Sequence, residues 1–451
     1  MIKQHLRDFN HKLMKSFFER LCNRYAVEKI TFGENNLFIR SLDRLYRRIS
    51  NFEKLYSLNS YLPDTLSIIE NACDLLFIQL FELIKEKYSE KLVSSRHAIL
   101  GNSEESQVNL SEILLALESH LSEQIKIAIH SLTGFMNPKL SFYSKSFFKE
   151  KLGFKIREEI VVAAIKYIVH SSLEYSKKPA SSSPKLILLL SRLCVDFDLS
   201  LVSSIINAVE TELNIDKNGR YLLTSTYELH QESKNASQQL LNHYVKIQGQ
   251  QISSMIKKSI EARDWLTAVE PKTVRSVMKR IVNDIAAIDA EVGQLLEEGS
   301  RTDRSSDSSR NRRVLGTSNI PGKLYTKNQS WNYHQSGVID NSLISNIQKL
   351  FSERIEIFSA VEFNKLSVVT GIVKISLKTF LECVRLCTFS KCGMQQIQID
   401  AYYLQMQLWR FVTDENLTCN LLDDVLISSF QRCLEPVRMD NSKVEKICED
   451  A

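Results

Sequence analysis

Glycine and proline are scarce in this chain of 451 residues, which contains only 13 of the first and 7 of the second. Tight turns and β-bulges depend on these residues, so a protein of many short strands is disfavoured and long helices are favoured. The longest apolar run, IVVAAI at 160–165, is far below the ~20 residues that span a bilayer. The first residues, MIKQHLRDFNHKLMK, have no apolar core typical of a secretory signal. We therefore expect a cytosolic chain that is at most peripheral to a membrane.

Recognisable catalytic and ligand-binding motifs are also missing. The sequence contains no GxxxxGK or GxGxxG phosphate loop, no HExxH and no acidic EF-hand loop. The histidines are solitary and belong to no Ser/His/Asp or Cys/His signature, although a triad can form from residues far apart in sequence. We therefore predict that the chain is not an enzyme, has no catalytic, cofactor-binding or metal-binding residues, and needs no cofactor.

The nine cysteines are scattered without a short-spaced framework, which favours reduced thiols over disulfides. Cys383, Cys387 and Cys392 form a loose cluster, and three thiolates could begin a zinc site. Their spacing differs from the paired CxxC form, and the nearest histidine, His334, lies across a predicted linker. Small buried thiols on a helix are therefore the favoured interpretation.

The net charge of +5 is small for this length and gives little support to a nucleic-acid partner. The segment Arg301–Arg313 concentrates five arginines with two aspartates and several serines. It could touch acidic lipid headgroups, and phosphorylation of its serines would remove that attraction. A plain solvated linker is the favoured interpretation of this segment.

Helical periodicity dominates the rest of the chain. Asn109 and Glu112 have the form of a capping box, which predicts a helix from Leu110 to about Leu132. Between Pro271 and Gly299 apolar residues alternate at steps of four and three, which predicts one amphipathic helix. Asp414 is predicted to cap a helix that Pro436 stops. The stripe of the second helix consists of Val274, Met278, Ile281, Ile285, Ile288, Val292 and Leu295.

The stretch 393–411, GMQQIQIDAYYLQMQLWRF, is ambiguous at first because its start alternates like a strand. The longer helical period places Ile397, Ala401, Leu404, Leu408 and Phe411 on one face and leaves Gln398, Gln405 and Arg410 off it. We therefore predict a core helix that binds no small molecule. Its aromatic residues are expected to pack between neighbouring helices, namely Tyr402, Tyr403 and Trp409.

These patterns together predict an all-α protein with four segments. Residues 1–180 and 181–299 form an N-terminal and a middle helical bundle. Residues 300–338 are polar, rich in Ser, Arg and Asn, and lack an apolar period, so we expect a disordered or flexible linker. Residues 339–451 form a C-terminal helical bundle.

Several stretches occur in an order that is specific to one family. They are LLNHYVKIQGQQISSMIKKSIEARDWL (240–266), EPKTVRSVMKRIVNDIAAIDAEVGQLLEEG (270–299), SSDSS (305–309), NIQKLFSERIEIFSAVEFNKLSVVTGIVKISLKTFLECVRL (346–386) and GMQQIQIDAYYLQMQLWRFVTDENL (393–417). On these residues the chain resembles the vacuolar protein sorting-associated protein 51 family, also called Fat-free. The similarity is strong from about residue 185 onward and weaker over 1–185.

The resemblance implies a non-catalytic subunit of the Golgi-associated retrograde protein and endosome-associated recycling protein tethering complexes. It implies an elongated rod of stacked antiparallel helical bundles that tethers vesicles and promotes SNARE-dependent fusion. Implied partners are the other subunits and SNARE proteins. From the residues themselves we expect at most a peripheral contact with acidic membrane, and we expect no nucleic acid and no small-molecule substrate. The implied location is the cytosolic face of the trans-Golgi network and recycling endosomes. We find no match to the family's N-terminal coiled-coil region. The alternative function is a helical scaffold that binds acidic lipid or nucleic acid through basic segments.

Overall fold

The computed structural model describes residues 2–27, 35–56, 61–101, 109–177, 183–215, 223–300 and 361–451. Every named element within these ranges is a helix, so the predicted all-α class is confirmed. The described residues contain one strand-like contact, a parallel bridge between Phe389 and Cys433. The chain divides into two compact units, Met1–Gln239 (unit 1) and Leu240–Ala451 (unit 2).

The four-segment division and the elongated shape stay predictions. Of the predicted linker 300–338, only Ser300 belongs to the described residues, and the basic segment Arg301–Arg313 lies outside them.

Unit 1 contains eight α-helices and part of a ninth within its described residues. They are α1 (Ile2–Val27), α2 (Asn35–Tyr56), α3 (Leu62–Gly101), α4 (Leu110–Thr133), α5 (Leu152–Ile156), α6 (Ala163–Ser176), α7 (Pro184–Asp196), α8 (Val202–Glu212) and the first part of α9 (Thr226–Glu261). The predicted capping box starts α4, because the Asn109 side chain accepts a hydrogen bond from the Glu112 N–H. The Glu112 carboxylate bonds to the Asn109 side-chain amide.

The long helix α3 is the centre of unit 1, since α1, α2, α4, α6 and α7 all pack against it. Its apolar residues recur at helical spacing and turn inward, so Leu76, Leu80 and Ile84 are nearly inaccessible to solvent. Tyr88, also buried, satisfies its hydroxyl with Ser172 of α6 at 3.0 Å. This pairing avoids the cost of an unsatisfied buried hydroxyl group.

The apolar stretch KLILLLSRLCVDFDLSLVSSIINAVETEL at 185–213 predicts one or two largely buried helices, and α7 and α8 form one continuous helical run. A π turn at Phe197–Leu201 joins them. Pro184 is the first residue of α7, a position where its missing N–H costs nothing. The residues Leu186 to Leu190 are fully buried, as expected of a helix inside a bundle.

Unit 2 contains the rest of α9 and five further α-helices within its described residues. These are α10 (Ser276–Val292), α11 (Lys365–Leu386), α12 (Lys391–Leu408), α13 (Glu415–Gln431) and α14 (Asn441–Glu449). Asp414 caps α13 as predicted, because its side chain accepts the Asn416 N–H at 2.9 Å. The helix ends at Gln431, five residues before Pro436.

The amphipathic helix predicted over Pro271–Gly299 is shorter than expected. All seven predicted stripe residues are buried, but α10 extends only from Ser276 to Val292. Its start is delayed because the Arg275 backbone is extended and its N–H bonds to Asp400. After Val292, the Glu297 and Glu298 carbonyls accept the N–H groups of the first residues of α11. Gly299 has a φ of +88°, in the left-handed region that favours glycine, but it lies beyond the end of the helix.

A close helix–helix seam joins α9 to α11 in unit 2. The position of a Cβ on Gly249 would be only 2.9 Å from the Ile375 side chain, so glycine permits this approach. One turn further along, the hydroxyl of Thr379 donates to that of Ser253 at 2.9 Å. Small residues on one helix therefore allow a large residue on the other to fill the seam.

Candidate functional site

Ser203, His230 and Asp198 of unit 1 lie in the contact order of a catalytic triad. Ser203 Oγ is 3.0 Å from His230 Nε2, and His230 Nδ1 is 3.3 Å from Asp198 Oδ1. A hydroxyl, an imidazole and a carboxylate in this order are the groups of nucleophilic catalysis. The sequence showed no such signature because 27 residues separate the serine from the histidine.

This trio lacks the second requirement of acyl transfer, a set of free N–H donors for an oxyanion. Ser203 is the second residue of α8 and directly follows the π turn, where the Val202 N–H already bonds to the Phe197 carbonyl. Its neighbouring N–H groups are therefore used by the helix itself. The contacts are those of a polar link between α8 and α9.

The three candidate cysteines do not form a metal site in the part of the chain that the structure describes. No group of three or more His, Cys, Asp or Glu side chains there is arranged to hold a metal ion. Burial raises the pKa of the Cys383 and Cys387 thiols, which favours the protonated form over a metal-binding thiolate. Cys383 is buried, as predicted, whereas Cys387 and Cys392 are half-buried.

Glu118 of α4 and Asp196 of α7 form a pair of carboxylates in unit 1. Burial and the neighbouring Asp196 raise the pKa of Glu118 to about 7. Arg192 binds Asp196 through two contacts, of 3.1 Å and 2.9 Å. Glu118 therefore carries a proton at pH values where an ordinary glutamate is ionised.

The helix α12 is the predicted core helix, and it is more completely buried than predicted. Ile397, Ala401, Leu404 and Leu408 are buried, and Phe411 follows in a short 3₁₀ turn, also buried. Gln398 is predicted to lie off the apolar face, yet Gln398 and its neighbours Gln395 and Gln396 are each less than 7% exposed. The helix is therefore enclosed on nearly all sides. A hydrophobic pattern misses this because it marks only the apolar face.

Two of the buried glutamines hold the C-terminal segment of unit 2 against α12. Gln398 donates to the Met439 carbonyl at 3.1 Å and accepts the Met439 N–H at 2.9 Å. Gln395 donates to the Val437 carbonyl at 3.1 Å. Since the segment before α14 belongs to no helix, these side chains supply hydrogen-bond partners for backbone groups that have no helical partner.

The predicted aromatic contacts of this helix differ from one residue to the next. Tyr403 is buried, and the hydroxyl of the half-buried Tyr402 contacts Glu445 of α14 at 3.2 Å. Trp409 remains 48% exposed, so the expected packing is only partial there.

Asp400 is a fully buried carboxylate that binds Arg275. The carboxylate accepts both the backbone N–H, at 3.3 Å, and the side-chain Nε of Arg275. Burial raises the pKa of Asp400, while the guanidinium opposes that effect. The same guanidinium reaches Ser259 at 3.0 Å and lies 5.1 Å from the Trp265 ring. The pair connects the start of α10 to α12, a structural role for buried charges.

Trp265 joins the loop after α9 to the start of α12. Its carbonyl accepts the N–H of Ser390 at 3.1 Å and the hydroxyl of Ser390 at 2.9 Å. Its ring meets Phe389 edge-on at 5.3 Å. A Cβ on Gly393 would lie 2.5 Å from this same carbonyl, so glycine is needed at the third residue of the helix.

Five exposed aliphatic residues lie in, or at the edge of, the three loops that this junction brings together. We call them the loop patch: Leu266, Val269, Leu386, Leu434 and Val437, each 49–82% exposed. The loops are tied to one another because Phe389 donates to the Arg432 carbonyl and accepts the Leu434 N–H, both at 3.0 Å. No sequence pattern marks this patch in advance, because its leucines and valines follow no common helical period.

An exposed group of aliphatic side chains on a folded unit is typical of a protein contact surface. A cleft lined by Met394, Leu426 and Phe430 encloses about 270 Å³ including open solvent, which is small for a ligand pocket. In the described ranges no helix combines the length and apolar character needed to cross a bilayer.

Comparison with known proteins gives a consistent result. No protein-family model matches the chain. A zebrafish (Danio rerio) protein named Vacuolar protein sorting-associated protein 51 homolog is 40% identical over 98% of the chain and 56% of its own length. The proteins of that name from Drosophila melanogaster and Homo sapiens are each 38% identical, over 99% and 98% of the chain and 61% and 57% of their own lengths. The chain thus spans less than two thirds of these curated relatives.

Proposed function

The chain belongs to the vacuolar protein sorting-associated protein 51 family, and on that premise we propose that it is a subunit of a multisubunit vesicle-tethering complex. The observation that carries the proposal is similarity at about 40% identity along nearly the whole chain. The all-helical fold supports it, because a tethering subunit works through long packed helices and their surfaces. The role is in protein sorting between membrane compartments.

The finer proposal follows the family resemblance. We propose membership in the Golgi-associated retrograde protein and endosome-associated recycling protein complexes, in endosome-to-trans-Golgi transport and endocytic recycling. The chain would act at the cytosolic face of those membranes, as a peripheral component that promotes SNARE-dependent fusion. Because the chain spans 56–61% of the relatives' length, its assembly and its SNARE contact belong to the proposal.

We propose a non-catalytic role, and the geometry around Ser203 supports it. The histidine and aspartate contacts are present, but the surrounding helical backbone supplies no oxyanion hole. No group of side chains in the described ranges suits a metal ion. Function would then reside in contact surfaces, of which the loop patch is the candidate in unit 2.

Affinity purification of the full chain tests this proposal. We expect the other tethering subunits to be recovered, and we expect the L386S/L434S variant of the loop patch to recover less of them. A control variant, L115S/L199S, replaces two leucines of similar exposure in unit 1, 62% and 69%, and should behave as wild type. If the folded wild-type chain recovers none of those subunits, the proposal is wrong. Equal recovery by both variants would exclude the loop patch as the contact surface without contradicting the tethering role.

A further inference from the structure

The helix α1 exposes a stripe of large apolar side chains. Phe9, Leu13 and Phe17 are 64%, 58% and 42% exposed and follow one another at steps of four residues. Such steps place side chains on one face of a helix. The opposite face of α1 packs onto unit 1, where Phe18 joins a core cluster with Tyr61. Within the described ranges the packing of α1 uses its other face, so this stripe is open to a further contact.

Most of the net charge of the chain also lies on α1. The helix has six lysines and arginines and two acidic residues, hence 6 − 2 = +4, whereas the complete sequence, which includes α1, has +5. Lys12, Arg20 and Arg24 are exposed, and none forms an ion pair within the described ranges of the chain. This face therefore combines apolar side chains with positive charge that no ion pair neutralises in the described ranges.

We propose that this face of α1, Phe9, Leu13 and Phe17 with Lys12, Arg20 and Arg24, docks on the surface of an anionic lipid membrane. A surface helix that carries Lys and Arg beside exposed Phe and Leu side chains lies in the bilayer interface in this way. The positive charge would meet acidic headgroups while the phenylalanine and leucine side chains enter the acyl boundary.

The position of the arginines favours a membrane over an acidic protein helix. Arg20 and Arg24 follow Phe17 at steps of three and four, so they continue the same face of α1 as the apolar stripe. A helix–helix seam would lose its apolar contacts at these two positions. At a bilayer the long arginine side chains bury their stems and reach the phosphate groups, so the same face remains suitable.

The membrane contact of α1 rests on the proposed function in one respect, because that function includes a peripheral contact with a membrane and α1 would be its surface. The proposed function and the role of α1 can be disproved independently. Recovery of the tethering subunits tests the function, whereas binding of the purified chain to pure lipid vesicles tests α1.

Vesicle sedimentation with the full chain provides the test. We expect binding to vesicles of phosphatidylcholine with phosphatidylserine and not to phosphatidylcholine alone, with binding that weakens as salt rises. The K12Q/R20Q/R24Q variant should bind on the order of a hundredfold more weakly, at roughly fivefold for each charge. The F9S/L13S variant should lose roughly tenfold or more. It spares Phe17, whose ring contacts Phe18 at 5.8 Å.

Matched controls separate the α1 surface from general charge and hydrophobicity. K126Q/K145Q/K149Q removes the same charge from exposed lysines elsewhere in unit 1, and L115S/L199S removes two other exposed leucines. Both should bind as wild type does, and circular dichroism should show every variant folded. The proposal is overturned if wild type does not bind the anionic vesicles, an outcome that favours an acidic protein helix as the occupant. It is also overturned if it binds neutral vesicles equally, or if the α1 variants match their controls.

Discussion

Replacing Gly393 by alanine should destabilise unit 2, although the same change in a helix usually stabilises a protein. Gly393 is the third residue of α12, and alanine there would gain at most ~1 kcal/mol of helix propensity. The added Cβ would lie 2.5 Å from the Trp265 carbonyl oxygen. An ordinary contact needs 3.4–4 Å, so the helix and the loop must separate by roughly 1 Å.

That separation carries two costs. Overpacking of this kind costs ~1–3 kcal/mol. The Trp265 carbonyl also accepts the two Ser390 hydrogen bonds, of 3.1 Å and 2.9 Å, and weakening them adds up to ~1 kcal/mol each. After the propensity gain is subtracted, we expect a net loss of about 2 kcal/mol, or about 4–8 °C in the melting temperature of a unit of this size.

Urea unfolding measured by tryptophan fluorescence checks this prediction, because Trp265 lies at the contact. Gly101→Ala is the control, since Gly101 ends α3 and its Cβ would meet nothing within 4 Å. We expect that control to be neutral or slightly stabilising. If Gly393→Ala is as stable as wild type or more so, then the close approach of α12 to the Trp265 carbonyl is not what requires glycine at this position.

Three further changes test other contacts. Glu118→Gln should flatten the pH dependence of thermal stability. The pKa of Glu118 is raised from 4.5 to about 7, so this group contributes stability that is fully present below pH 4.5 and is lost as the pH rises through 7. Allowing for its partial exposure we expect a gain of about 1 kcal/mol at about pH 8, and an unchanged pH slope would contradict this. Gln398→Leu leaves the Met439 N–H and carbonyl unpaired and should cost about 2–4 kcal/mol, with faster hydrogen exchange at Met439. Hydrogen-exchange protection at Met439 equal to that of the wild type would refute this prediction. Replacing residues 302–338 of the predicted linker by a short Gly/Ser linker should leave unit 2 folded, since the Lys365 N–H already bonds to the Glu297 carbonyl at 2.8 Å. Loss of cooperative unfolding would show that the fold of unit 2 needs the replaced residues.

The local features of the fold were predictable where a short stretch decides them. Asn109 and Asp414 cap their helices because their side chains reach N–H groups two or three residues away. The seven-residue stripe of α10 is buried because helical spacing alone places it on one face.

The ends of α10 were not predictable from the same pattern. The periodic stripe extends from Val274 to Leu295, but the backbone leaves the helix at both ends to make bonds with distant residues. Asp400 takes the Arg275 N–H, and the first turn of α11 takes the carbonyls of Glu297 and Glu298. The partners are more than 60 residues away in sequence, so no local pattern announces them.

The candidate surfaces likewise combine features that the sequence shows with features that only the folded chain shows. The sequence contained the charge and the four-residue spacing of α1, but only the packing of Phe18 against Tyr61 shows which face is left open. The loop patch was invisible because its leucines and valines come from three loops that Trp265 and Phe389 bring together. The contact order of Ser203, His230 and Asp198 likewise exists only in the folded chain.

By itself, the sequence determined the all-helical class, the helix caps, the apolar faces and the family. These depend on residues within one or two turns of each other or on the order of residues along the chain. Tertiary structure alone decided that Gln398 is buried, that Gly393 must be glycine and that the aliphatic residues of three loops share one junction. Each of these depends on a contact between residues distant in sequence, where distance in space and the pairing of polar groups set the free energy.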